Sequence, residues 1–147
     1  MIDYRPLEEL DCRMSTFVED LKRLLEQLAG NPIKASPEYF GLVARRSTWL
    51  AAFAEGGGKI VGMVALAPVY IPTGFHGLVE DMVVSNDYSG RGIDFGLMTT
   101  VIKMARNRGM LWLIAPTKPG DKAANERFRK FGFTPDPTGN FRLVLSP

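Results

Sequence analysis

The 147-residue sequence predicts an α/β protein, one domain spanning residues 1–147 and built on a central mixed β-sheet flanked by helices. Three observations predict it. Two helical segments lie near the N-terminus, and two more alternate with short apolar runs in the second half. Three consecutive apolar, strand-like runs separate the two pairs. A glycine-rich junction, "DYSGRGIDFGLM" at 87–98, then joins the last of those runs to a helix.

The elements follow in order. "IDYRPL" alternates briefly and predicts a first strand. Leu7, Leu10, Met14, Phe17, Leu21, Leu24 and Leu28 then recur at spacings of three and four, which predicts one amphipathic helix ended by Gly30, Asn31 and Pro32. Ser36 before Pro37 predicts the cap and first residue of a short second helix in "SPEYFGLVARR". "TWLAAFAE" at 48–55 and "KIVGMVALAPVYI" at 59–71 read as strands joined through "GGG", with Pro68 marking a bulge or bend. "HGLVEDMVVS" at 76–85 reads as a third strand. In "RGIDFGLMTTVIKMARNRG", Ile93, Leu97, Val101 and Met104 or Ala105 share one helical face, and Gly109 ends it. A buried strand in "MLWLIAP", a helix in "KPGDKAANERFRKFG" closed by Gly132, and a strand in "FRLVLS" complete the chain.

Composition narrows the function. Hydrophobic residues make up 46% and charged residues 23%, ordinary for a globular protein. The net charge is +2 and the basic residues are dispersed, so no nucleic-acid partner is expected. Cys12 is the single cysteine, which rules out an internal disulfide and a cysteine-based metal cluster; no metal is expected. "MIDYRPLEELD" does not read as a signal peptide, and no run is long enough to span a bilayer. A cytoplasmic protein without a membrane partner is therefore expected.

The glycine junction carries the chemistry. At a helix N-terminus the first backbone N–H groups lack helical partners and bear partial positive charge. Gly90 and Gly92 let the loop turn tightly and let a ligand approach bare backbone. That combination suits an anion, above all a phosphate, with Arg91 available for a charge-assisted contact. No Gly-Lys-Ser/Thr follows, so it is not a P-loop. It lies after a three-strand run rather than in an opening βαβ unit, so it is not the dinucleotide fingerprint.

"VEDMVVSNDYSGRGIDFGLMTTVIKMARNRG" followed by "AANERFRKFGF" resembles the GNAT superfamily of acyl-CoA N-acyltransferases, over about residues 48–145. In that family an apolar strand leads into Arg/Gln-x-x-Gly-x-Gly/Ala at a helix start, and a later helix ends in Tyr-x-x-x-Gly-Phe. The resemblance implies acetyl-CoA as cosubstrate and a primary amine, on a small molecule or a protein, as acceptor. It implies that Ser89, Gly90, Arg91, Gly92, Ile93 and Asp94 surround the pyrophosphate. It further implies that Met82, Val83 and Val84 line the pantetheine arm where a neighbouring strand splays away, with backbone N–H groups near Met82 and Val83 polarising the thioester carbonyl. Asn125 and Phe128 would contact the coenzyme from the last helix.

Three positions depart from the family pattern. Ser89 stands where Arg or Gln is usual, and Asp94 where Gly or Ala is usual. A carboxylate ~5 Å from a phosphate charge costs roughly 3 kcal/mol at an effective dielectric near 20. As a residue of the first helical turn, however, Asp94 also stabilises the helix dipole. Phe128 replaces the tyrosine that protonates the leaving thiolate, which leaves water or another acid for that step. A GNAT fold that has lost catalysis and serves as a binding or regulatory module is the alternative reading, and a homodimer is left open.

Glu80 and Asp81, in "VED", are the candidate general bases. Strand alternation puts Glu80 with Met82 and Val84 on one face and Asp81 with Val79 and Val83 on the other, so at most one of the two acids faces the acceptor. His76, in "TGFHG", is expected to be a solvated loop residue near the acceptor side. Trp49, Trp112 and Cys12 are expected to be core.

Overall fold

The computed structural model describes residues 1–118 and 120–145. In chain order its elements are β1 (Asp3–Pro6), α1 (Ser15–Ala29), α2 (Pro37–Arg46), β2 (Thr48–Ala54), β3 (Lys59–Ile71), β4 (Gly74–Val84), α3 (Ile93–Asn107), β5 (Trp112–Ala115), α4 (Lys122–Lys130), β6 (Thr134–Pro135) and β7 (Phe141–Val144). The strands form one sheet in the order β1-β2-β3-β4-β5-β7-β6. β4 and β5 are parallel, joined by the α3 crossover, and the other neighbours are antiparallel. The mixed sheet flanked by helices is the architecture the sequence predicts.

Alternation along β3 builds two cores. Met63 faces a cluster with Leu21, Leu24, Phe40, Trp49 and Phe53, under α1 and α2. Val64 and Leu66 face the opposite cluster, with Leu97, Met98 and Val101 of α3 and Phe128 and Phe133 from the region of α4. Burying a large apolar side chain contributes about 1.5–3 kcal/mol, so the two layers fix the helices on opposite faces of the sheet.

Several expectations are corrected. The first long helix does not begin near Leu7. The Leu7 N–H donates to the Trp49 carbonyl at 2.7 Å, and a short 3₁₀ turn at Asp11–Arg13 intervenes. Asp11 organises that turn: it accepts from Arg5 at 2.8 and 3.0 Å and from the Glu8 N–H at 2.8 Å. Leu10 is consequently exposed, although it continues the helical spacing. Pro68 marks no bulge. It pairs with Gly77, and β2–β3 pairing ends at Thr48–Leu66, so Pro68 lies where β3 has a partner on one side. The missing N–H is tolerated at such an edge. The two-residue β6 is too short to leave a periodic signal. The caps are as expected: Gly30 closes α1 in the left-handed conformation (φ 76°), and Ser36 Oγ accepts the Tyr39 N–H of α2 at 3.2 Å.

Cys12 is fully buried in the α1–α2 core, and burial pushes its thiol up to about 11. At pH 8 it is protonated and shielded. Iodoacetamide is therefore expected to leave it unmodified in the folded chain and to alkylate it in denaturant, read by intact mass.

Candidate functional site

The site is built on an irregularity in β4. Met63 pairs with Val83 and Ala65 with Glu80, so Val64 stands opposite two residues, Asp81 and Met82. Asp81 has φ 53°, in the left-handed region uncommon for residues other than glycine. This bulge overturns the simple alternation expected for "VEDMVV". Val79 packs in the α3-side core, whereas Val83 packs in the opposite one. Without the bulge, residues four apart would share a face.

The strand edge beyond is open. Among the described residues β4 pairs with β5 at Gly77–Leu113 and Leu78–Ile114 alone. Beyond Leu78 that side of β4 has no paired strand among the described residues, β5 ending at Ala115. A cavity of about 450 Å³ opens beside Met82, Val83 and Val84 and extends over Ser89, Gly90 and Gly92 to Ile93 and Asp94. Gly90 and Gly92 both have φ 75°, and a Cβ at either would meet nothing within 4 Å. Backbone shape, rather than crowding, requires glycine there, and the main chain is bare toward the cavity. Gly96 is the first α3 residue whose N–H returns to the turn, bonding the Gly92 carbonyl at 3.0 Å.

The other coenzyme-side candidates separate. Arg91 does not line this cavity; its guanidinium lies 4.7 Å from the Tyr88 ring centre. Asp94 does line it, and its Oδ1 accepts the Phe95 N–H at 2.9 Å, taking up one of the first-turn donors. Phe128 is buried against Phe133 and Phe141, with ring centres 5.5 and 5.9 Å away. Asn125 has its side-chain oxygen buried without a hydrogen-bond partner. Neither residue borders the cavity; Arg127, on the neighbouring face of α4, does. Gln27 was absent from the sequence candidates. Its amide donates to the Val84 carbonyl at 2.8 Å and accepts from the Asn86 N–H at 3.1 Å, so α1 holds the turn that leads into the glycine loop. No local pattern could announce a partner 57 residues away in the chain.

Glu80 and Asp81 lie together, both exposed, at a second cavity of about 450 Å³ that shares Leu28, Met82 and Arg127 with the first. Glu80 has its carboxyl pushed above the usual range, first by burial and then by the Asp81 charge. Asp81 also borders a third cavity, of about 360 Å³, between the sheet and α1–α2. The bulge therefore places one acid between two cavities. His76 is not a solvated loop residue. It lies buried on β4, stacked on Trp112 with ring centres 4.6 Å apart, away from these acids. Trp49 and Cys12 are core as expected, and Trp112 is half-buried. No helix among the described residues is long and apolar enough to cross a membrane.

Comparison with known proteins bears on this geometry. The chain is similar to the L-methionine sulfoximine/L-methionine sulfone acetyltransferase of Pseudomonas aeruginosa, 27% identical over 96 residues, covering 65% of this chain and 56% of that protein. The chain thus spans little more than half the length that this relative has. Its fold matches a GNAT-family acetyltransferase of Streptococcus pneumoniae with TM-score 0.81 at 18% identity, covering 99% of this chain and 100% of the other. It also matches the PaiA N-acetyltransferase of Thermoplasma acidophilum, solved with coenzyme A, with TM-score 0.70 at 18% identity, covering 97% and 96%. The family model for the GNAT acetyltransferases matches residues 12–133, from the 3₁₀ turn to the end of the glycine-closed last helix. On that match, across most of its length, the chain belongs to the GNAT acetyltransferase family.

Proposed function

We propose that this chain is an acetyl-CoA-dependent N-acetyltransferase acting on a primary amine. The observation that carries the reading is the continuous open edge of β4. It runs from the acids at 80–81, past Met82–Val84, to the bare backbone at the start of α3. A long ligand with an anionic end and an extended, amide-bearing arm fits such an edge. The arm can be bound as an added strand, and the anion by helix N–H groups.

Acetyl-CoA supplies an acyl group activated as a thioester, whose transfer to a neutral amine yields an amide and a free thiol, and an acceptor that arrives as its ammonium releases one further proton. This chain's own residues do the rest. The backbone of 82–84 holds the arm along the strand edge. Ser89, Gly90, Gly92 and Ile93 receive the diphosphate, and Arg127, shared by the two coenzyme-side cavities, adds positive charge. Glu80 or Asp81 takes the proton of the incoming amine. Glu80 is favoured as the base because burial and the neighbouring Asp81 charge raise its proton affinity above that of an ordinary carboxylate.

The same pKa fixes a pH dependence. Protonated Glu80 cannot accept a proton, so kcat/KM should rise with pH across a window lying above the ordinary carboxylate value of 4.5. Glu80→Gln is expected to lower kcat about 100-fold and remove that limb. Folded stability should not fall. The folded chain holds the Glu80 proton more tightly than the unfolded chain, so ionisation weakens folding as pH rises, and the amide avoids it. Free-thiol release with an amine library, together with thermal melts, checks both. If acetyl-CoA at millimolar concentration fails to raise the melting temperature, the reading falls.

A second reading, a binding module without catalysis, is favoured by the carboxylate of Asp94 in the cradle and by Phe128 in the core. Coenzyme binding without thiol release for any amine would select it.

A further inference from the structure

The third cavity differs in chemistry from the two along the coenzyme edge. Its floor is β2 and β3, where Trp49, Met63, Ala65 and Ala67 share the α1–α2 face of the sheet. Ala65 and Ala67 are small, so the floor is shallow next to the bulge, and Phe40, Tyr39 and Leu25 form the walls. Among the residues lining it there is no lysine, arginine or histidine. Ser47 is already engaged, its hydroxyl donating to the Val43 carbonyl at 2.8 Å. Asp81 is the single charged side chain on the lining, and it also opens onto the coenzyme-side cavity that holds Glu80.

We propose that this cavity binds a small primary amine bearing an apolar, aromatic or branched aliphatic substituent and no anionic group, with its ammonium on Asp81 and its substituent over Ala65 and Ala67. The assignment rests on the acetyltransferase reading for its meaning as an acceptor site, but the binding chemistry is argued from this cavity alone. The ammonium complements the one carboxylate. The substituent replaces water on an apolar floor and walls. A carboxylate or phosphate on the ligand would be desolvated with no cation to meet it, which is costly. A peptide acceptor is disfavoured because its amide groups would find few unpaired polar groups on this lining.

The test is NMR titration of the full chain, alone and saturated with coenzyme A. Phenethylamine is the probe, compared with phenylalanine, glucosamine 6-phosphate and a Phe-initiated tetrapeptide amide. Phenethylamine should perturb the Trp49 indole and the Ala65 and Ala67 methyl signals, and bind at least tenfold more tightly than the other three. Asp81→Asn should weaken it about tenfold, as loss of a charge-assisted contact predicts. Ala65→Phe should abolish it by filling the floor. Amide dispersion in each variant's spectrum verifies folding. Equal or tighter binding of an anionic amine or the tetrapeptide, unchanged affinity in Asp81→Asn, or perturbations confined elsewhere would overturn the proposal. Coenzyme A is followed separately at the Gly90 and Gly92 amides. Its failure to perturb them would remove the acetyltransferase reading while leaving the amine result to be judged on its own signals.

Discussion

Replacing Asp94 with glycine is expected to tighten coenzyme A binding about tenfold while making the fold less stable by about 1 kcal/mol. The two effects have different origins. Asp94 lies in the cradle with Ser89, Gly90 and Gly92, and its Oδ1 occupies the Phe95 N–H at 2.9 Å. A bound diphosphate meets both a like charge and a donor already in use. The unscreened repulsion of roughly 3 kcal/mol is reduced by solvent at the open mouth, leaving on the order of a tenfold change. Stability moves the other way, because an acid in the first turn stabilises α3 by about 0.3–1 kcal/mol and glycine adds backbone entropy. Asp94→Asn separates charge from donor competition. The amide oxygen can keep the Phe95 N–H, so any gain in affinity in that variant reports charge alone. Calorimetry at two salt concentrations should show the difference between parent and variants shrinking as salt rises. No change in affinity at low salt would mean that this carboxylate does not meet the coenzyme.

The elements of this fold were legible where local chemistry decides them. Ser36-Pro37, Gly30 and Gly92 mark helix ends because capping acts over a few residues. The glycine loop was legible for the same reason. What escaped was set by tertiary contact. The spacing from Leu7 to Met14 is helical, yet Asp11 and Arg5 fold it into a 3₁₀ turn. The β4 bulge leaves no mark in "VEDMVV", yet it turns Val79 and Val83 to opposite cores and sets Asp81 between two cavities. On α4 the cavity lining takes Ala124 and Arg127, each one residue away from Asn125 and Phe128. A rotation of about 100° per residue separates those faces, and only packing against Phe133 and Phe141 fixes which one turns inward.

Gly96→Ala should destabilise the protein by about 3 kcal/mol, although alanine in a helix interior ordinarily stabilises by about 1 kcal/mol. The inverted sign comes from Tyr4. A Cβ at Gly96 would overlap the Tyr4 hydroxyl and ring, because β1 lies directly against the first turns of α3. β1 is paired along its length with β2, so its backbone holds and the Tyr4 side chain has to turn out of its place against α3. Tyr4 also stands close enough to Asp94 that, after burial, the carboxylate's charge is the second cause of its raised pKa. The contact therefore fixes the start of α3, where the proposed anion site lies. Tyr4→Phe should leave the clash in place, because the ring carbon overlaps as well as the oxygen. Tyr4→Ala should relieve it, so that adding Gly96→Ala in that background costs little or stabilises. The coupling in this double-mutant cycle should reach about 3 kcal/mol by urea denaturation. Coenzyme A affinity should follow the same pattern, lost in Gly96→Ala and recovered in the double variant with Tyr4→Ala. If the cycle couples stability but leaves coenzyme binding untouched, Tyr4 braces the fold and not the cradle, and the start of α3 is positioned instead from the other side, by the turn that Gln27 holds.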